Sequence, residues 1–260
     1  MNRSLQFNFS HLFDGVIWNM LSLPEQPVLI LESRDATKKE TRFSALNFQR
    51  NEFLWKDLLL EEPWWINLSA VSKGVLLYTV YLETTNPDKK AVMAYNVQRH
   101  ELLWWNNDFS LIAVEADRVI GFSLKLSRQV VLNLHTGAEE PQNTTESTSK
   151  PLSDLVRPIR YTDDLPHFET VKTFLSQRLN LLPVVSLEYA EFDSLIFISY
   201  NVMETALVNY LLVLTATGSI LLHEKLDEPQ KGIGLDTFFI LKGSLFFVKN
   251  RRELLSYSIV

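Results

Sequence analysis

The chain has 260 residues, a hydrophobic fraction of 46% and a net charge of −6. That length can bury a large core in one all-β domain, and an acidic chain with no Lys/Arg stripe lacks the concentrated positive charge that nucleic-acid backbones require. With no cysteine, disulfides and thiolate metal sites are excluded.

The first residues, Met1 to Phe13, hold no continuous apolar core of signal-peptide length. No apolar run approaches the ~18 residues of a membrane helix. The expectation is a cytoplasmic protein with neither membrane nor nucleic-acid partners.

In chain order, an N-terminal strand over Leu5–Ser10 precedes four strands at Val16–Leu21, Val28–Arg34, Arg42–Phe48 and Phe53–Leu58. A second set follows at Ile66–Val71, Val75–Leu82, Ala91–Val97 and Leu102–Trp105. The third has Leu111–Glu115, Val119–Lys125 and Val130–His135, with a displaced outer strand near Val156–Tyr161. The fourth is Val184–Ala190, Leu195–Tyr200, Tyr210–Thr215 and Ile220–Lys225. The last has three strands, Thr237–Leu241, Ser244–Lys249 and Leu254–Val260. Alternating apolar and polar residues between turn signals support each strand.

A repeat binds these elements together. Phe43–Asp57 (FSALNFQRNEFLWKD) aligns with Val92–Asn106 (VMAYNVQRHELLWWN) at an offset of 49 residues, with Ala, Asn, Gln, Arg, Glu, Leu and Trp coinciding. That is about one propeller blade. Fainter copies at Leu132–Glu139 and Leu212–Leu222 place Thr-Gly where the first two have Arg50-Asn51 and Arg99-His100. Glycine there supplies the positive φ of a tight hairpin. The reading is a single domain over residues 1–260: an all-β, five-bladed β-propeller, closed by pairing the N-terminal strand with the C-terminal blade.

Two segments depart from the repeat. Ala138–Lys150 is polar and turn-rich and reads as a flexible loop; its Asn143-Thr144-Thr145 sequon is a chance match in a cytosolic chain. His167–Asn180 is the one helix, with Val171, Phe174, Leu175 and Leu179 on one face after Pro166. It either covers a mouth of the central channel or packs as an insertion.

The pattern Ala45-x-Asn47 to Trp55, repeated as Ala94-x-Asn96 to Trp104, resembles the repeat of quinoprotein-type propellers. There, Ala-Leu-Asp precedes a Thr-Gly turn and a tryptophan. Asn47 and Asn96 replace the aspartate, and only Thr136-Gly137 and Thr217-Gly218 keep the turn. The whole chain is also similar to an uncharacterised Bacteroidetes family, a domain of unknown function, through Glu32-Ser33-Arg34-Asp35, Phe43-Ser44-Ala45-Leu46 and Glu61-Glu62-Pro63-Trp64-Trp65-Ile66. The resemblance implies the fold and, since that family has no assigned activity, no function.

On these strand directions one loop face gathers the candidate ligand-binding residues: His11 and Asp14 with Trp18, Arg34 and Asp35, Glu62 with Trp64 and Trp65, and Asp108. Loops on a rigid scaffold are where binding residues collect. Trp64 and Trp65 could stack on a sugar or planar ligand; the default alternative is that both wedge between blades as core. Arg34 with Asp35 or Glu62 equally reads as an inter-blade ion pair, and Lys38-Lys39 as a solvated hairpin tip. Trp55 and Trp104 read as structural. His100, His135 and His223 form no metal-ligand pattern, so no metal or cofactor is expected.

The function these features favour is a non-catalytic binding or scaffolding propeller for a small molecule, sugar, peptide or protein. The alternative is a glycoside hydrolase with two carboxylates at the central channel, for which Glu115, Glu188 and Glu191 are the inner-strand candidates. A quinone-dependent dehydrogenase is disfavoured because no calcium-site or quinone-stacking residues can be identified.

Overall fold

The computed structural model describes residues 3–141, 154–227 and 237–260. The expected loop is described only as far as residue 141, and the Asn143 sequon lies outside the described residues. The chain is all-β with one helix, and its five antiparallel sheets fall in two compact units, Phe13–Leu152 and Met1–Leu12 with Ser153–Val260.

After strand β1 (Leu5–Leu12), which belongs to the second of these units, three sheets follow in sequence order. The first comprises β2 (Val16–Ser22), β3 (Val28–Asp35), β4 (Glu40–Asn47) and β5 (Glu52–Leu58). Next come β6 (Ile66–Ser72), β7 (Val75–Tyr81), β8 (Lys90–Asn96) and β9 (Leu102–Asn106). The third is β10 (Ser110–Glu115), β11 (Arg118–Ser123), β12 (Arg128–Asn133) and the two-residue β13 (Glu139–Glu140). In each, consecutive strands are antiparallel neighbours, so every link is a short connection between adjacent strands.

Burial follows the two-residue period of a strand. Val28, Ile30 and Phe43 of the first sheet pack against Ile66, Leu68, Leu76, Tyr78 and Ala91 of the second. The opposite face of the second sheet, through Val75, Leu77, Val92 and Ala94, packs on Val119, Val130 and Leu132 of the third. A central sheet buried on both faces explains why every residue from Val75 to Val80 is buried and all but Thr79 are apolar or aromatic.

The repeat has a physical function in this packing. Nε1 of Trp55 donates to the carbonyl of Val97 at 2.7 Å, and the equivalent Nε1 of Trp104 donates to that of Leu134 at 2.8 Å. Each tryptophan thus ties its outer strand to the sheet that follows. Asn47 and Asn96 cap the turns, accepting from the N–H of Arg50 and from those of Gln98 and Arg99. Asn51 (φ 55°), His100 (φ 54°), Gly137 (φ 67°) and Gly218 (φ 83°) all take the left-handed conformation the alignment anticipates.

The second unit departs from the sequence reading. The segment expected as a displaced outer strand of the third sheet forms instead two short strands, β14 (Leu155–Val156) and β15 (Ile159–Thr162). After helix α1 (Pro166–Leu179) come β16 (Pro183–Phe192), β17 (Leu195–Met203), β18 (Leu207–Thr215) and β19 (Ile220–Lys225). The chain ends in β20 (Phe238–Leu241), β21 (Ser244–Lys249) and β22 (Glu253–Ile259). β15 adds to the β16 edge and β14 to the β20 edge, so both sheets have five strands. Amphipathic alternation cannot say which open edge a short strand will join, and two edges were available. β1 pairs antiparallel with β22 from Leu5↔Ile259 to Leu12↔Glu253, as the N-terminal strand was expected to do.

Helix α1 packs on a sheet face. Phe168 and Leu175 are buried against Leu187, Ile198, Tyr200, Leu212 and Leu214, all on one side of the β15–β19 sheet. The other side, with Phe197, Leu211 and Val213, packs on Phe238, Ile240, Leu245 and Phe247. The packing-insertion alternative therefore describes what α1 does within its unit. No described helix is long and apolar enough to cross a membrane.

Candidate functional site

The first two sheets bring several of the expected residues together around Arg34. On β3, residues 28, 30, 32 and 34 share the face turned to the second sheet. Val28 and Ile30 there are core, and Glu32 continues that face at 0% exposure. Its carboxylate accepts from the N–H of Leu68 on β6 at 2.8 Å and from Nε of Arg34 at 2.6 Å. Loss of hydration pushes the Glu32 carboxyl above its ordinary range, outweighing the Leu68 N–H and the Arg34 charge. Nη2 of Arg34 also donates to the carbonyl of Ile66 at 2.8 Å. The guanidinium is pinned at two points, Glu32 on its own strand and Ile66 on the next sheet.

Two indoles flank it. Trp18 is the extra residue of a β-bulge, since Ile17 pairs with Ser33 and Asn19 with Glu32. A bulge re-aims the side chain it frees, and Trp18 is 62% exposed. Arg34 lies 5.3 Å from the Trp18 ring centre and 5.5 Å from that of Trp64. The ammonium of Lys39, from the β3–β4 turn, lies 4.8 Å over the Trp64 ring. Cation–π contacts of this kind hold flat rings in place.

The loop carrying Trp64 is fixed from inside and outside. One oxygen of Glu62 accepts from the N–H groups of Trp64 and Trp65 at 2.9 and 2.7 Å. The buried Thr41 donates its N–H to the Pro63 carbonyl at 2.6 Å, and Tyr81 donates to that of Trp65 at 2.8 Å. Trp65 is 45% exposed, and neither indole belongs to the core between the two sheets.

Arg34 and Trp64 thus lie together, and Glu62 holds the backbone of Trp64 and Trp65. The ion pair of Arg34 is with Glu32, not with Asp35 or Glu62. Glu32 was missed as a site residue, although a carboxylate in an inward register position, two residues from an arginine on the same face, is a readable signal. Lys39 is exposed, as read, and its ammonium also lies over an indole.

The remaining candidates have structural roles or lie elsewhere. Asp35 caps the β3–β4 turn, accepting from the N–H of Thr37 and Lys38 at 2.9 and 3.0 Å, and the Lys38 N–H holds its carboxyl below the usual range. Asp108 does the same for the β11–β12 turn, accepting from the Ser123 hydroxyl and from the N–H of Leu124 at 3.1 Å. Asp14 is exposed beside Gly15, and its charge acts on Arg42. A Cβ on Gly15 would come within 2.6 Å of the Arg34 backbone, so glycine permits that close approach. His11 lies on β1 in the other unit, opposite Leu254 and 5.0 Å from the Phe9 ring.

Of the carboxylates considered for hydrolysis, Glu188 on β16 accepts from the N–H and hydroxyl of Thr237 at 2.9 and 2.7 Å. Glu191, three residues on, faces the other side of the strand and accepts from the Tyr189 hydroxyl at 2.5 Å. These two do not flank a common bond. Glu115 ends β10 in the first unit. Among the described residues no group of three or more His, Asp or Glu could hold a metal.

The segment that builds the Arg34 site is also the one with a recognisable relative. Residues 23–104 match DUF4905, a domain of unknown function. The DUF4905 match holds Glu32, Arg34, Thr41, Glu62, Trp64 and Trp65 and ends at Trp104, whereas Trp18 precedes it. The comparison with curated proteins returned no match. Among solved structures, the chain is similar to BamB from Moraxella catarrhalis, with 12% identity, TM-score 0.28, and coverage of 94% of this chain and 59% of that one. It is also similar to the beta-propeller domain of the Trilobed protease from Pyrococcus furiosus, with 6% identity, TM-score 0.29, and coverage of 92% and 64%. The chain spans less than two thirds of either structure.

Proposed function

We propose that this chain is a non-catalytic binding module whose working surface is formed by Trp18, Arg34, Trp64 and Trp65. The observation that carries the reading is Trp18, an indole 62% exposed on a strand bulge beside a pinned guanidinium. Aromatic side chains bring large contact area at little conformational cost, and a platform already held in position loses little entropy when a ligand lands on it. The five-bladed propeller belongs to the same proposal; four-stranded meanders and the β1–β22 pairing support it.

The test is a thermal-shift and calorimetric screen of sugars, planar metabolites and peptides against the intact chain, Trp18→Ala and Trp64→Ala. A hit that both substitutions abolish, with circular dichroism unchanged, supports the reading. Hits that survive both put the working surface elsewhere.

A further inference from the structure

Most of the charged groups around the indoles are already engaged within the site. Glu32 is neutralised by Arg34 and held by the Leu68 N–H. Asp35 has two amide donors and the Lys38 ammonium at 3.6 Å. One oxygen of Glu62 holds two amides, and Lys39 rests on the Trp64 ring. A ligand of either charge meets both signs here: the Arg34 guanidinium is already paired with Glu32, and the Lys39 ammonium and the Glu62 carboxylate are of opposite sign.

What remains unused is of a different kind. Among the described residues, Nη1 of Arg34 and Oε2 of Glu62 make no hydrogen bond, leaving N–H donors beside the Trp18 and Trp64 rings and an acceptor on the residue that holds the Trp64 and Trp65 amides. A hydroxyl both donates and accepts, and a pyranose ring presents hydroxyls at its edge and an apolar C–H face to an indole. A flat aromatic without hydroxyls would cover the indoles and leave both polar atoms unsatisfied, which costs free energy. Resting on the stacking surface proposed above, we infer that the ligand is an uncharged saccharide.

Calorimetry on the intact chain tests this with three probe sets: neutral gluco-, xylo- and manno-oligosaccharides, acidic oligogalacturonate, and indole as a planar aromatic. The expected result is binding of a neutral oligosaccharide whose affinity changes less than about twofold between about 0.05 and about 0.5 M salt. Trp18→Ala and Trp64→Ala should each weaken it by about tenfold or more, with thermal midpoints checked so that unfolding is not misread as lost binding. Tryptophan-dependent binding of oligogalacturonate alone, falling steeply with salt, overturns the uncharged class and leaves the stacking surface standing. Tryptophan-dependent binding of indole alone does the same. No binding in any set overturns the inference, and neutral-sugar binding indifferent to both substitutions overturns the inference and the surface together.

Discussion

Arg34 and His100 are the residues whose surroundings make the sharpest demands. Removing Arg34 leaves the Glu32 carboxylate buried with only the Leu68 N–H. Breaking one side of a buried ion pair costs about 3–5 kcal/mol, and Arg34→Ala should lose stability on that scale in a denaturant titration at neutral pH. Because burial already raises the Glu32 pKa, the deficit should shrink on acidification, as protonation removes the stranded charge. His100 works with the opposite sign. Its ring accepts from or donates to the Tyr78 hydroxyl at 3.1 Å and lies against Tyr95 and Trp55, and desolvation lowers its pKa to about 4 from 6.5. The folded state therefore resists protonating it. The resulting stability is fully present above about 6.5 and is lost as pH falls toward about 4. His100→Asn, which tolerates the left-handed backbone, should be less stable than wild type at pH 7. The gap in denaturation midpoints should narrow between those two pH values; a constant gap would show that protonation of His100 is not involved.

At the scale of elements, the clearest weakness is the start of α1. Leu165 is the N-cap, with φ −100° and ψ 139°, and makes no side-chain cap. That extended geometry suits Ser or Asp, whose oxygen would accept an orphan helix N–H, a gain of about 1 kcal/mol. Leu165→Asp should raise the denaturation midpoint accordingly. No gain would mean that Leu165, 39% exposed, contributes packing that offsets the cap. The strands show the converse, since the partly buried Trp55 and the buried Trp104 pack on the core and also bond the neighbouring sheet through Nε1.

At the scale of the whole molecule, β1 joins the two ends of the chain through a full strand of pairing with β22. Without residues 1–12, β22 would present an unpaired edge bearing Leu254, Leu255 and Tyr257, and open apolar edges invite association. The truncated chain should show a lower thermal midpoint and elute from a sizing column as aggregate at concentrations where the full chain does not. A monomer of unchanged midpoint would show β1 to be dispensable.

The sequence by itself determined the sheets. Two-residue alternation sets each strand's faces, the 49-residue offset sets the unit, and Asn51, His100, Gly137 and Gly218 mark turns whose positive φ is local chemistry. The pairing partner of the N-terminal strand was legible because the last sheet read as one strand short. Only tertiary structure decided where β14 and β15 pair, since a short amphipathic strand fits any open edge, and which sheet face α1 covers, since helical periodicity fixes the buried stripe but not what it is buried against. It decided the candidate site in the same way. Trp64 and Trp65 could be named from the chain, but their exposure could not. Glu32 became visible as Arg34's partner only once Leu68 from the next sheet closed over it, because a buried carboxylate is defined by neighbours that sequence proximity does not reveal.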